Sequence, residues 1–171
     1  LRNLKEAEIS TRKAIEFKPN YAEAHYNLGN ILINIGKLKE AELSIRKAIK
    51  LNPNFAKAHL NLGGILRDFG KLQEAELFTR KAIEIKPDYA EAHSNLGNIL
   101  RDIGNLQEAE LSIRKAIEIK PDYADAYLNL GSIFEKLKNF QKAELYTRKA
   151  IEYQPNDAAV YYNLGNILKD L

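Results

Sequence analysis

Five prolines, Pro19, Pro53, Pro87, Pro121 and Pro155, stand 34 residues apart in a chain of 171 residues. A fixed period of that length restricts the fold more than any other feature. A unit of this size cannot bury its apolar face alone, so it stacks on its neighbours and the chain becomes a row of repeats. Other positions keep the register. Alanine recurs at Ala7, Ala41, Ala75, Ala109 and Ala143, and seven residues further on at Ala14, Ala48, Ala82, Ala116 and Ala150. An Asn-Leu-Gly triplet begins at Asn27, Asn61, Asn95, Asn129 and Asn163. No insertion breaks the period. The spacing therefore predicts one elongated domain over residues 1–171, with full repeats over 21–54, 55–88, 89–122 and 123–156 and partial repeats over 1–20 and 157–171. In such a stack, function is expected in an exposed surface rather than in a pocket.

Each cycle divides into two helical stretches. His93, Leu96, Gly97, Leu100 and Ile103 follow a spacing of three and four, which places them on one face of a first helix. Leu106, Ala109, Ile113, Ala116 and Ile117 do the same for a second. Asp88 with Glu91, Asn20 with Glu23, and Asp122 with Asp125 read as capping-box starts for first helices. Gly36, Gly70 and Gly104 fall where the first helix should stop, and the prolines follow the second helix, which they cannot extend. About ten helices in alternation result. Gly29, Gly63, Gly97, Gly131 and Gly165 lie in helix interiors, where each costs about 1 kcal/mol relative to alanine. Close approach of the paired helices, with the recurrent alanines opposite, is the expected reason.

The combination of Asn-Leu-Gly, a turn glycine, alanines seven apart and a closing proline over 34 residues resembles the tetratricopeptide repeat, and the match runs through essentially the whole chain. The resemblance implies an all-α, right-handed superhelical solenoid of antiparallel helix pairs. Three departures are local. The family's bulky aromatic early in the first helix is replaced by His25, His59 and His93, then Tyr127 and Tyr161. The aromatic usual in the second helix is replaced by Thr11, Ile45, Thr79, Ile113 and Thr147. The turn glycine is Lys138 in one repeat, followed by Asn139.

Composition removes several function classes. There is no cysteine, so disulfides, thiolate catalysis and cysteine-based zinc sites are excluded. No apolar run approaches the ~20 residues of a membrane span. A formal net charge of +3 is too mild to argue by itself for nucleic acid or a membrane surface. The expected location is cytoplasmic. The chain contains no methionine, opens before a second helix and closes at the end of a first helix, which is read as a piece of a longer array. The faces so left open, with Leu4, Ala7, Thr11 and Ala14 at one end and Tyr161, Leu164, Gly165 and Leu168 at the other, are expected to seek each other in head-to-tail self-association.

Side chains able to do chemistry repeat with the architecture. The three histidines occupy one position of successive repeats, too far apart to share a metal's ~2 Å ligand shell, and are expected to pack at the helix seam. Ser10, Ser44 and Ser112 have no histidine or acid consistently near them in sequence. No phosphate-cradling glycine loop is present. Neither an enzyme nor a cofactor is expected. Arg12, Arg46, Arg80, Arg114 and Arg148, each followed by lysine, draw a basic stripe along the second helices. Glu8, Glu42, Glu76, Glu110 and Glu144 precede them by four residues, the favourable order for helical ion pairs. A self-neutralised face is expected, not a nucleic-acid site.

The asparagines remain. Asn27, Asn61, Asn95, Asn129 and Asn163 share a helix face with Asn30, Asn98 and Asn166, and with Gly64 and Ser132 at the equivalent positions. In the tetratricopeptide family this face lines the concave groove. An amide both donates and accepts, which suits the main chain of an extended peptide. The ladder is similar to that in the repeats of O-linked N-acetylglucosamine transferase, whose groove asparagines hold substrate peptides. The other reading is that these amides support helix packing. Lys57, Arg67, Arg101, Lys136 and Lys169 meet Glu23, Glu91, Asp125, Glu135, Asp68, Asp102 and Asp170 along the same surface. The family's carboxylate clamp needs a lysine before each groove asparagine, and here those positions are Tyr26, Leu60, Ser94, Leu128 and Tyr162. The sequence thus leads to a scaffold that binds a protein or extended peptide through the asparagine ladder with Arg67 and Arg101. The alternatives are a structural array and the targeting region of a larger modifying enzyme such as a glycosyltransferase.

Overall fold

The computed structural model describes residues 2–171, with side chains from Asn3 onward. Leu1, from which the reading of the chain's ends starts, lies outside the described residues. Ten helices follow one another: α1 (Arg2–Phe17), α2 (Ala22–Asn34), α3 (Leu38–Leu51), α4 (Ala56–Asp68), α5 (Leu72–Ile85), α6 (Ala90–Ile103), α7 (Leu106–Ile119), α8 (Ala124–Lys136), α9 (Phe140–Tyr153) and α10 (Ala158–Asp170). Among the described residues the rest is turns and short connections. No helix of these residues is long and apolar enough to cross a membrane.

The helices gather into two compact units, one ending at Pro87 and one starting at Asp88. In the first, α2 pairs with α3 and α4 with α5, while α1 lies on α2 and α3 on α4. In the second, α6 pairs with α7 and α8 with α9, α7 lies on α8, α9 on α10, and α6 also touches α8. The apolar positions of the 3.6-residue period meet at these seams. Leu32, Ile45, Leu62 and Leu66 are fully enclosed in the first unit, and Ile99, Ile113, Leu130 and Ile133 in the second. Each such side chain contributes about 1.5–3 kcal/mol by leaving water. Ile103, expected on that face, is instead exposed at the end of α6.

The mid-helix glycines Gly29, Gly63, Gly97 and Gly131 are required by the pairing. A Cβ placed on Gly97 would lie 2.5 Å from Ile113 Cδ1 and 3.1 Å from the Ala109 carbonyl oxygen. On Gly131 it would lie 2.6 Å from Thr147 Oγ1. The crowding partner is therefore the residue that replaces the family's second-helix aromatic, together with the backbone at the alanine, rather than the alanine side chain. The turn after the first helix is equally specified. Gly104 takes a left-handed φ of 98°, and the N–H of Asn105 donates to the Leu100 carbonyl at 2.9 Å, which closes the helix with a Schellman-type bond. Lys138 adopts the same hand, with φ 58°, and Asn139 then caps α9 by accepting from the N–H of Lys142 at 3.1 Å.

The capping expectation for the first helices is corrected. Helices α2, α6 and α8 start after Tyr21, Tyr89 and Tyr123, none of which makes a side-chain cap bond. Asp88 and Asp122 lie in the two-residue turns opened by Pro87 and Pro121. A different bond fixes these turns. His25 Nε2 and His59 Nε2 each donate to the carbonyl of the preceding repeat-end proline, Pro19 and Pro53, at 2.8 Å, and Tyr127 donates its hydroxyl to Pro121 at 3.1 Å. His25 and His59 thus serve the architecture. Among the described residues no group of three or more histidines and carboxylates comes together as a metal site would need.

Candidate functional site

The asparagine ladder lies on the first helices, α2 and α4 in one unit and α6, α8 and α10 in the other. The Asn-x-x-Asn spacing puts successive amides one turn apart on α2, α6 and α10, with Gly64 and Ser132 at the second position on α4 and α8. In the first unit the half-buried Asn61 donates through Nδ2 to Asn30 Oδ1 at 2.6 Å and to the Tyr26 hydroxyl at 3.4 Å. In the second, Asn129 donates through Nδ2 to Ser94 Oγ at 3.2 Å, with Ser94 buried. The ladder amides of one helix are thus fastened to the preceding first helix. Their carbonyl oxygens keep acceptor capacity.

Between α6 and α8 the second unit opens a cleft of about 340 Å³, lined by Glu91, Asn95, Asn98, Tyr123, Asp125 and Asn129 among others. Burial raises the pKa of the Tyr123 hydroxyl above its ordinary value, and the carboxylates of Asp125 and Glu91 add to the effect, while a hydrogen bond with Ser94 opposes it. Nearer the helix C-termini a second cleft of about 390 Å³ is bounded by Arg101, Asp102, Ser132, Glu135 and Lys136. There Arg101 Nη2 stands 3.3 Å from Asp102 Oδ1.

Of the expected site residues, the structure joins Asn61 to Asn30, gathers Asn95, Asn98 and Asn129 around one cleft, and places Arg101 at the next. Asn27 and Asn166 are exposed, and Arg67 and Asn163 are half-buried, outside these bonds and clefts. Tyr26, Ser94 and Tyr123 were not expected to take part. The only sequence signal for Tyr26 and Ser94 is that each precedes a groove asparagine, at the position where a clamp lysine would otherwise stand.

On the second helices every arginine of the basic stripe is paired with acid. Arg12–Glu8, Arg80–Glu76 and Arg148–Glu144 close at 2.8 Å, and Arg46–Glu42 and Arg114–Glu110 at 2.9 Å. Arg12 and Arg46 also reach Glu40 and Glu74 on the next second helix, joining repeats. At the far end, Leu164 is buried against the fold, which corrects its placement on an open face, whereas Tyr161, Gly165 and Leu168 are exposed.

Models described as tetratricopeptide repeat match residues 22–55 and 124–157, and 45–76, 78–110 and 146–171. A further TPR repeat model matches residues 97–138. The crystal structure of MamA is similar with a TM-score of 0.79 and 28% identity, over 91% of this chain and 91% of that one. YrrB, described as a TPR protein with an unusual peptide-binding site, is similar with a TM-score of 0.75 and 27% identity, over 94% of this chain and 83% of that one. Pseudomonas aeruginosa pilF, at 21% identity, shares the fold with a TM-score of 0.83, over 98% of this chain and 78% of that one. No curated protein matches significantly.

Proposed function

The chain belongs to the tetratricopeptide repeat family, and from that premise we propose that it is a protein-interaction scaffold that holds an extended peptide or protein segment against the first helices of its repeats. One observation carries this reading. Asn95, Asn98 and Asn129 converge on a single cleft whose size and polarity suit a peptide main chain. An extended strand presents alternating N–H and C=O groups, and amides answer both without regard to its side chains. The similarity to YrrB, described as having a peptide-binding site, supports the same reading.

The test separates contact from support. Asn61 and Asn129 hold neighbouring helices together, so they are poor probes. Asn95→Ala with Asn98→Ala removes two amides from the cleft wall. A partner recovered from a peptide array should bind the double variant at least tenfold more weakly, the loss of about two neutral hydrogen bonds. Unchanged affinity, with the melting temperature preserved, would remove the amide ladder from the function.

A further inference from the structure

We propose that the cleft between α6 and α8 takes the cationic side chain of a bound peptide, a lysine or an arginine, between Glu91 and Asp125. This rests on the peptide-binding reading and adds a side-chain preference to it.

The cleft is lined by two carboxylates, three amides and a tyrosine hydroxyl, and no lysine or arginine belongs to its wall. Four other acids of this unit have local cations. Glu110 pairs with Arg114, Glu118 with Lys115, Glu144 with Arg148, and Asp102 with Arg101. Among the described residues Glu91 and Asp125 form no ion pair, and both are exposed at the rim. Their field reaches inward, since both carboxylates disfavour ionisation of the Tyr123 hydroxyl. A cation entering here gains two carboxylate acceptors and leaves neither carboxylate facing a like charge alone. Leu128 supplies apolar wall for the methylene stem of lysine or arginine, and the amides of Asn95 and Asn98 face the flanking main chain. The charge pattern is local to this cleft. At the equivalent repeat positions on α2 and α4 the residues are Glu23 and Lys57, of opposite sign.

The probe is a set of four acetylated, amidated nonapeptide pools, randomised over uncharged residues with the centre fixed as Lys, Arg, Gln or Glu. Binding is read by fluorescence anisotropy at low and at physiological salt. The Lys and Arg pools should bind about tenfold more tightly than the Gln pool, as one charge-assisted hydrogen bond gives, and the Glu pool most weakly. The advantage should shrink with salt, because both carboxylates are at the rim. Glu91→Gln with Asp125→Asn should bring the basic pools to the affinity of the Gln pool, and Glu91→Lys with Asp125→Lys should reverse the order. Both changes are at exposed positions, so circular dichroism should show an unaltered fold. Equal binding of all four pools would overturn this inference and leave the peptide reading standing. A basic preference that survives Glu91→Gln with Asp125→Asn would overturn the assignment to this cleft. Failure of every pool to bind would overturn the peptide reading itself, and this one with it.

Discussion

Asn61 on α4 donates its side-chain amide to Asn30 Oδ1 on α2 at 2.6 Å, so two members of the ladder serve each other before either meets a ligand. The bond is half-buried and spans 31 residues of sequence. Breaking it should cost stability, which the exposed positions should not. Asn61→Ala is expected to destabilise the first unit by about 1 kcal/mol, against less than about 0.5 kcal/mol for the exposed Asn27→Ala. Urea unfolding of the two variants decides the matter, and a double-mutant cycle with Asn30→Ala should return a favourable coupling. Equal stabilities for Asn61→Ala and Asn27→Ala would show that the amide pair contributes nothing to the fold.

The glycine of the helix interior should tolerate no methyl where a second helix covers it. Gly97→Ala places a Cβ 2.5 Å from the fully buried Ile113 and 3.1 Å from a carbonyl oxygen, an overpacking expected to cost about 1–3 kcal/mol. Gly165 has nothing within 4 Å of the same added atom, so Gly165→Ala should stabilise by up to about 1 kcal/mol through helix propensity alone. The two changes are chemically identical, and opposite signs of their melting shifts are the expected result. Shortening Ile113 to Val in the Gly97→Ala background should recover part of the loss. A Gly97→Ala protein as stable as the parent would contradict the close-approach account.

How far these features could be read from sequence depends on whether they repeat. The period, the helix alternation and the Glu–Arg pairs are each written five times, and the structure shows them all. The helix starts were misread for a physical reason. Asp88 with Glu91 has capping-box spacing, but Asp88 is spent in the turn that Pro87 opens, and α6 begins only after Tyr89. In the corresponding turns His59 and Tyr127 reach back to the proline carbonyl, a bond that no local capping rule contains. The candidate site was half legible. The amides recur, so the ladder was visible, but the residue at the position of their partners Tyr26 and Ser94 changes from repeat to repeat. Both are hydroxyls 35 residues from the asparagine they accept from, at a position otherwise filled by Leu60, Leu128 and Tyr162. The cleft between α6 and α8 sets the repeating amides beside Ser94 and Asp125, which vary between repeats, and periodicity is silent about those.

Lys138 occupies a backbone conformation that its neighbours reserve for glycine. Its φ of 58° matches the hand of Gly36, Gly70 and Gly104, and a side chain there costs about 1–2 kcal/mol. Lys138→Gly should therefore stabilise the α8–α9 pair by about 1 kcal/mol, reduced by the greater freedom glycine has when unfolded. The converse change, Gly104→Ala, should destabilise by a similar amount although no atom lies within 4 Å of the added Cβ. Thermal unfolding of both variants reads the two signs. A Lys138→Gly protein that melts below the parent would mean that the lysine side chain is worth more than the strain it imposes.

Alkaline pH should loosen the second unit through its tyrosines. Tyr127 is buried with its hydroxyl donating to Pro121, and burial, then the neighbouring Tyr153, raises its pKa above the ordinary 10.0. Tyr123 is shifted the same way by burial and by Asp125. A phenol whose folded pKa exceeds its unfolded one stabilises fully below the unfolded value, and that contribution fades as pH rises through the folded pKa. Ionisation also removes the proton that Tyr127 donates to the proline carbonyl, so the turn before α8 loses its tether. From these groups stability should be flat between about pH 7 and 9 and fall above about pH 10. Tyr123→Phe with Tyr127→Phe should be less stable than the parent at neutral pH, where the Pro121 bond is lost, yet show a shallower alkaline decline. Urea midpoints measured from pH 8 to 11, beside a tyrosinate absorbance titration, would establish this. An alkaline decline of the same steepness in parent and variant would show that neither hydroxyl is linked to the fold.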